Sequence, residues 1–221
     1  MRQYQLVIFD WDGTLMNSEA RIVKSIQVAA ERCGFPVLSD HESKQIIGLS
    51  LDNAILGLYP EASKEQIQAM ADAYSQNFLE ESSVEMEPFD GAESLLLGLK
   101  VSGVKTAIAT GKSRRGLDQI LKESGFGGYF NMTRTPFESA SKPNPLMLNQ
   151  ILAELNVPVE DALMVGDTTF DLQMAATIDM DRVAMSHGVH DQQQLDVHSP
   201  LAHFDTLQDL HSWLTPRLKV G

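Results

Sequence analysis

The chain has 221 residues, 43% of them hydrophobic and 21% charged, proportions that exclude disordered and fibrous classes. Its 17 Lys and Arg against 30 Asp and Glu leave a formal charge of −13, a surface that repels nucleic acid and anionic membranes. An anionic substrate therefore has to be drawn in by a local site, and a bound cation would supply one.

From the N-terminus, residues 1–5 lead into the apolar run Leu6-Val7-Ile8-Phe9. That run is too brief for a signal sequence or a membrane span. Cys33 is the only cysteine, which rules out an internal disulfide and, with the short apolar start, points to a cytoplasmic protein. Leu6-Val7-Ile8-Phe9 is apolar on both faces and ends in Asp10-Trp11-Asp12-Gly13-Thr14, the pattern of a strand buried in a parallel sheet.

The stretch from Asn17 to about Val84 shows no convincing strand. Ser39 to Glu42 and Ser63 to Gln66 each fit a capping box, in which the side chains at the two ends satisfy exposed first-turn amides. Ile22, Val23, Ile26, Ala29 and Ala30 form one apolar stripe, and Met70, Ala73, Tyr74 and Phe78 lie near a helical period on another. These features predict an all-helical insertion over 17–84, joined back through Pro88-Phe89-Asp90-Gly91.

Beyond it, apolar runs at Val104 to Ala109, Ala162 to Val165 and Arg182 to Met185 alternate with helical periods at Ala92 to Ser102, Arg114 to Ser124, Pro145 to Leu155 and Thr168 to Thr177. The predicted fold class is α/β, a doubly wound parallel sheet. Its core is formed by 1–16 and 85–221.

Open parallel sheets bind ligands beyond the carboxyl ends of their strands. Those ends carry Asp10 and Asp12, Thr110-Gly111-Lys112, and Gly166-Asp167 with Asp171 a helical turn further on; a loop between them holds Lys142. Magnesium, a hard cation that takes carboxylates, waters and a phosphate oxygen, accounts for so many acids in one place. Asp10 and Asp167 are the natural ligands, with Asp171 a further candidate. Asp10 can attack phosphorus, and Asp12 can protonate the leaving oxygen and later deprotonate water. Thr110 and the Gly111 amide can donate to phosphoryl oxygens, and Lys142 can neutralise the developing charge. Gly48-Leu49-Ser50, between two helices of the insertion, is a candidate specificity loop through Gly48 and Ser50.

With these residues in place, the sequence resembles the haloacid dehalogenase-like hydrolases, in their phosphoglycolate-phosphatase-like branch with a helical cap. Asp10 to Thr14 match the DxDGT motif, Thr110 the second-motif threonine, Lys142 the conserved-position lysine, and Gly166 to Asp171 the GDxxxD motif; the insertion lies where the family places its cap. The resemblance implies a Rossmann-like core, a magnesium cofactor, a small phosphorylated metabolite as substrate, and the Asp12 backbone carbonyl as a third metal ligand. Gly111 departs from the Asn or Ser often found after the threonine, and Asn17-Ser18 from an Asp-Ser pair near the hinge.

A magnesium-dependent phosphatase working through an aspartyl-phosphate is thus expected, with no nucleic-acid or membrane partner. A phosphomutase of the β-phosphoglucomutase type shares all four motifs. A dehalogenase would not need an acid at position 12, and a non-catalytic binding module would have no use for like charges at 10, 12 and 167. His187 and His190 have a spacing a metal could use, and Arg114-Arg115 could reach a phosphate; neither pair is needed by the scheme.

Overall fold

The computed structural model describes residues 2–219. Six parallel strands form one sheet: β1 (Leu6–Phe9), β4 (Lys105–Ala109), β5 (Met132–Arg134), β6 (Ala162–Gly166), β7 (Asp181–Met185) and β8 (His203–Phe204), in the spatial order β5-β4-β1-β6-β7-β8. Because side chains alternate along a strand, β1 feeds two cores. Val7 and Phe9 pack with Leu95 of α5 (Ala92–Val101), Leu117 of α6 (Arg114–Ser124) and Leu210 of α10 (Leu207–Leu214). Leu6 and Ile8 pack on the other face with Leu148 of α7 (Leu146–Leu155) and Met174 of α8 (Thr169–Ala176). A sixth core helix, α9 (Gln192–Asp196), buries Leu195 against Leu172 and Ala184. The doubly wound α/β architecture expected from the alternation is the one observed.

Between β1 and β4 the chain leaves the sheet through a small antiparallel ribbon, β2 (Met16–Asn17) against β3 (Glu87–Pro88), pairing Met16 with Pro88 and Asn17 with Glu87. The ribbon is new relative to the sequence reading, and two residues per strand are too few to show a period. The residues between are helical: α1 (Glu19–Arg32), α2 (Asp40–Lys44), α3 (Leu51–Leu58) and α4 (Lys64–Gln76). Capping boxes at Ser39 and Ser63 start α2 and α4 as expected. Ile26, Ala29 and Ala30 of α1 meet Ile55 and Met70 in an apolar cluster belonging to the insertion alone. Helix α4 then widens into a π turn over Asn77–Glu81, burying Phe78; such turns often mark functional sites.

Register positions the site. Phe9 stands beside Ile108 on one side and Val165 on the other. The residues that follow these strands, Asp10, Thr110 and Asp167, therefore emerge side by side at the carboxyl edge. It is also where strand order switches direction about β1, the place at which such sheets hold ligands.

Candidate active site

Asp10, Asp167 and Asp171 are all buried, and each offers an oxygen within 4.8 Å of the others'. Lys142 bridges two of them: its ammonium lies 2.8 Å from Asp10 Oδ1 and 2.6 Å from Asp171 Oδ1. The second oxygen of Asp171 accepts from the Thr168 hydroxyl at 2.7 Å as part of the capping box that starts α8. Both Asp171 oxygens are thus engaged, so it acts as the anchor that holds Lys142 against Asp10.

Asp167 is gripped from both sides. The Thr14 hydroxyl donates to Oδ1 at 2.7 Å and the Val189 amide to Oδ2 at 2.9 Å. Gly13 lies alongside with φ +80°, and a Cβ there would fall inside the Asp167 carboxylate. The glycine of the first motif thus serves both the left-handed turn and the close approach.

Burial is the main force on these acids. It pushes Asp10 well above the usual carboxylate range; Lys142 opposes the shift, and Asp171 and Asp167 add repulsion. Asp167 is pushed up to about 7, by burial first and by Asp171 next. Burial alone would depress Lys142, but Asp10 and Asp171 together raise it. The cluster therefore holds more negative charge than one lysine relieves. Asp10 Oδ2 is buried with no hydrogen-bond partner among the described residues, and such an oxygen calls for a cation or an electrophile. The donor set, hard carboxylate oxygens in a dry cluster, fits a divalent metal.

Asp12 lies on the insertion side of this group. Its Oδ1 accepts from the Ser18 hydroxyl at 2.7 Å and lies 3.1 Å from the Lys112 ammonium, which also sits 4.4 Å over the Phe78 ring. Neither Ser18 nor Lys112 was singled out from sequence as a partner of Asp12. Thr110 is buried; its hydroxyl accepts the Lys112 amide at 3.2 Å, which leaves the hydroxyl proton to donate. Gly111 has a steric cause: a Cβ would strike the Gly48 and Leu49 carbonyl oxygens. The Gly48–Ser50 loop therefore rests on the second-motif backbone, and the Ser50 amide donates to the Ser141 hydroxyl at 2.9 Å beside Lys142.

The two histidines stay out of the acidic cluster. His187 spans the Thr14 and Asp205 carbonyls and stacks on Phe89. His190 accepts the Thr169 amide on Nδ1 at 2.9 Å, and burial lowers its pKa; it is a neutral ring that completes the start of α8. Arg114 pairs with Glu138 and Asp118, and the exposed Arg115 with Glu80, so both are committed to carboxylates. Trp11 packs against Phe126 and Phe130.

A doubly wound parallel sheet whose switch point carries a buried carboxylate trio, a lysine and a threonine defines an α/β protein with a ligand site built to hold a cation. The family described as haloacid dehalogenase-like hydrolase matches residues 7–185, and the chain belongs to it. It is similar to IndB of Dickeya dadantii, named a probable phosphatase, at 30% identity over 93% of this chain and 91% of that one. It is also similar to a phosphoglycolate phosphatase of Vibrio cholerae, at 28% over 79% and 81% respectively. In fold it matches a hydrolase from Pseudomonas syringae with TM-score 0.87 and 23% identity, over 99% of this chain and 100% of that one. These likenesses support a phosphatase-like function.

Proposed function

We propose that the protein is a magnesium-dependent phosphatase that hydrolyses a small phosphorylated metabolite through an aspartyl-phosphate on Asp10. The observation that carries the reading is Asp10 itself, with one oxygen held by Lys142 and the other unpartnered at the switch point of the sheet. Asp10, Asp167 and the Asp12 carbonyl would hold magnesium, which when bound offsets the negative charge of the acids and of the substrate phosphate.

The chain's own residues supply the steps. Thr110, the Gly111 amide and Lys142 bind phosphoryl oxygens and orient the phosphorus toward Asp10. Asp12, ionised beside Lys112 in the free protein, takes up a proton as the substrate binds and gives it to the leaving oxygen as the Asp10 oxygen–phosphorus bond forms and the ester oxygen–phosphorus bond breaks. Asp12 then takes a proton from water, the water oxygen bonds to phosphorus, and the bond to Asp10 breaks to release phosphate. Residues 17–84 act as a cap over this chemistry, with Gly48 and Ser50 shaping the substrate side. The contacts of that loop with Gly111 and Ser141 support the assignment.

The test is turnover of an aryl phosphate by the full chain and by Asp10→Asn, with magnesium and after exhaustive dialysis against EDTA. The reading expects turnover only by the unaltered chain with metal. Activity of the variant within about tenfold, a barrier change of only ~1.4 kcal/mol, or full activity without metal would overturn it.

A further inference from the structure

Resting on the reading that magnesium is held by Asp10 and Asp167, we propose that His187 is a positioning residue for that metal. Through the Thr14 carbonyl it holds the hydroxyl that orients the Asp167 carboxylate. His187 follows β7 and lies outside the acidic cluster. Its Nε2 lies 3.1 Å from the Thr14 carbonyl oxygen, and its Nδ1 lies 3.2 Å from that of Asp205. Both partners can only accept, and a neutral imidazole has one N–H to give. Burial decides which of them receives it. Thr14 is fully buried and its carbonyl has no other donor among the described residues, whereas Asp205 is exposed to water. A buried carbonyl left unpaired costs more than an exposed one, so the proton belongs on Nε2 and is given to Thr14.

The consequence is a closed ring of contacts around Asp167. The Thr14 hydroxyl donates to Oδ1 at 2.7 Å, and the amide of Val189, just beyond His187 in the chain, donates to Oδ2 at 2.9 Å. Gly188 between them passes so close that a Cβ would lie 2.2 Å from the Asp167 Cβ. The His190 amide reaches the Asp167 carbonyl oxygen at 3.3 Å. The loop from His187 to His190 therefore supplies one grip on the carboxylate directly and fixes the other through the imidazole. Phe89, stacked on that ring with centroids 4.0 Å apart, sets its plane. With a hydrogen bond on each oxygen, the carboxylate is held in one orientation before a cation arrives, which is how a partner behind a ligand raises metal affinity.

The experiment titrates magnesium into the full chain by calorimetry, without substrate and well below each variant's metal-free Tm. Gln carries an amide nitrogen at the chain position of Nε2, and Asn carries one at that of Nδ1. His187→Asn and His187→Phe, the latter keeping the stack on Phe89, should raise the magnesium Kd about 10–100-fold, while His187→Gln should stay within about threefold of the unaltered chain. Thr14→Val, which deletes the hydroxyl at nearly constant volume, should weaken magnesium by a similar factor. Adding His187→Phe to it should change Kd little further, because both act on one path. Should His187→Phe fail to fold, His187→Asn takes its place and the contrast with His187→Gln still decides. A histidine that served only the fold would lower the metal-free Tm in its variants and leave Kd unchanged. Kd unmoved in His187→Asn, equal losses in His187→Asn and His187→Gln, or additive effects with Thr14→Val would overturn this inference alone. A full chain that binds no magnesium, or binds it equally well after Asp167→Asn, would overturn the magnesium-dependent reading and this inference with it.

Discussion

The ammonium of Lys112 lies 3.1 Å from the carboxylate of Asp12, with both side chains nearly withdrawn from water. One follows β4 and the other β1, and Phe78 of the insertion covers the lysine from above. Removing one partner of a buried ion pair leaves an uncompensated charge, typically at a cost of about 3–5 kcal/mol. Lys112→Ala should therefore destabilise the protein by about that amount in urea unfolding, since only the Ser18 hydroxyl remains on Asp12. Lys112→Ala combined with Asp12→Asn should recover most of the loss. A single-variant loss below about 1 kcal/mol, the value of a surface pair, would mean that solvent reaches and screens the pair.

Asp10 should show function and stability pulling in opposite directions. Burial pushes its carboxyl well above the usual range despite Lys142, so ionised Asp10 costs folding free energy at neutral pH. Asp10→Asn keeps the shape and removes the charge. The variant is expected to lose turnover while its metal-free Tm rises by about 2–4 °C for each ~1 kcal/mol of repulsion relieved. A lower metal-free Tm would show that Asp10 is needed to neutralise Lys142, and that attraction to the lysine outweighs burial and repulsion.

Asp167 makes the stability of the metal-free protein depend on pH in a defined direction. Its folded value of about 7 lies above the ordinary 3.8. The folded chain therefore holds a proton that the unfolded chain has released, and this group's contribution is largest below the unfolded value. It declines as pH rises from about 4 to about 7 and then levels off. Magnesium competes for the same carboxylate, so the Tm gain from added magnesium should be small near pH 5 and reach its full size by about pH 8. Thermal unfolding across that range, in EDTA and in magnesium, measures both trends. A magnesium gain independent of pH would place the cation away from Asp167.

Asp10, Thr110 and Asp167 could be read from sequence because each follows directly on an apolar run, so a strand end and a reactive group coincide in a few residues. The pairing of Lys112 with Asp12 could not. It arises from the parallel register that sets Phe9 beside Ile108, and no local pattern specifies register between strands about 100 residues apart. Strands β5 and β8 escaped notice for a different reason. They are the edges of the sheet, with three and two half-buried residues, too short for any period to emerge. The last helix did leave a signal: Leu207, Leu210 and Leu214 repeat at helical spacing behind a Thr206 cap. Gly111 was legible as an oddity, but its cause, the Gly48 and Leu49 carbonyls lying where a side chain would be, is visible only with the insertion folded over the core.

Asp12 should reveal its part through the leaving group. If it protonates the departing oxygen, its value depends on how basic that oxygen is, and general acid catalysis commonly contributes about 10²–10⁴-fold. Asp12→Asn should cripple hydrolysis of n-butyl phosphate, whose alkoxide cannot leave unprotonated. It should slow phosphoryl transfer from para-nitrophenyl phosphate much less, because nitrophenolate leaves readily as an anion. The second step still needs a base to activate water, and the variant lacks one. It should therefore release a burst of nitrophenol close to one equivalent per chain and then stall as the phosphorylated Asp10 form. Rapid-quench kinetics on both esters, with mass determination of the intact chain after the burst, measures each element. Ser18 and Lys112 would still flank the amide, so Lys112→Gln is the control: it disturbs the same neighbourhood but retains the Asp12 carboxyl, and should show no burst. Equal loss on both esters, with no burst and no phosphorylated chain, would leave Asp12 as a structural partner of Lys112 and require another proton donor.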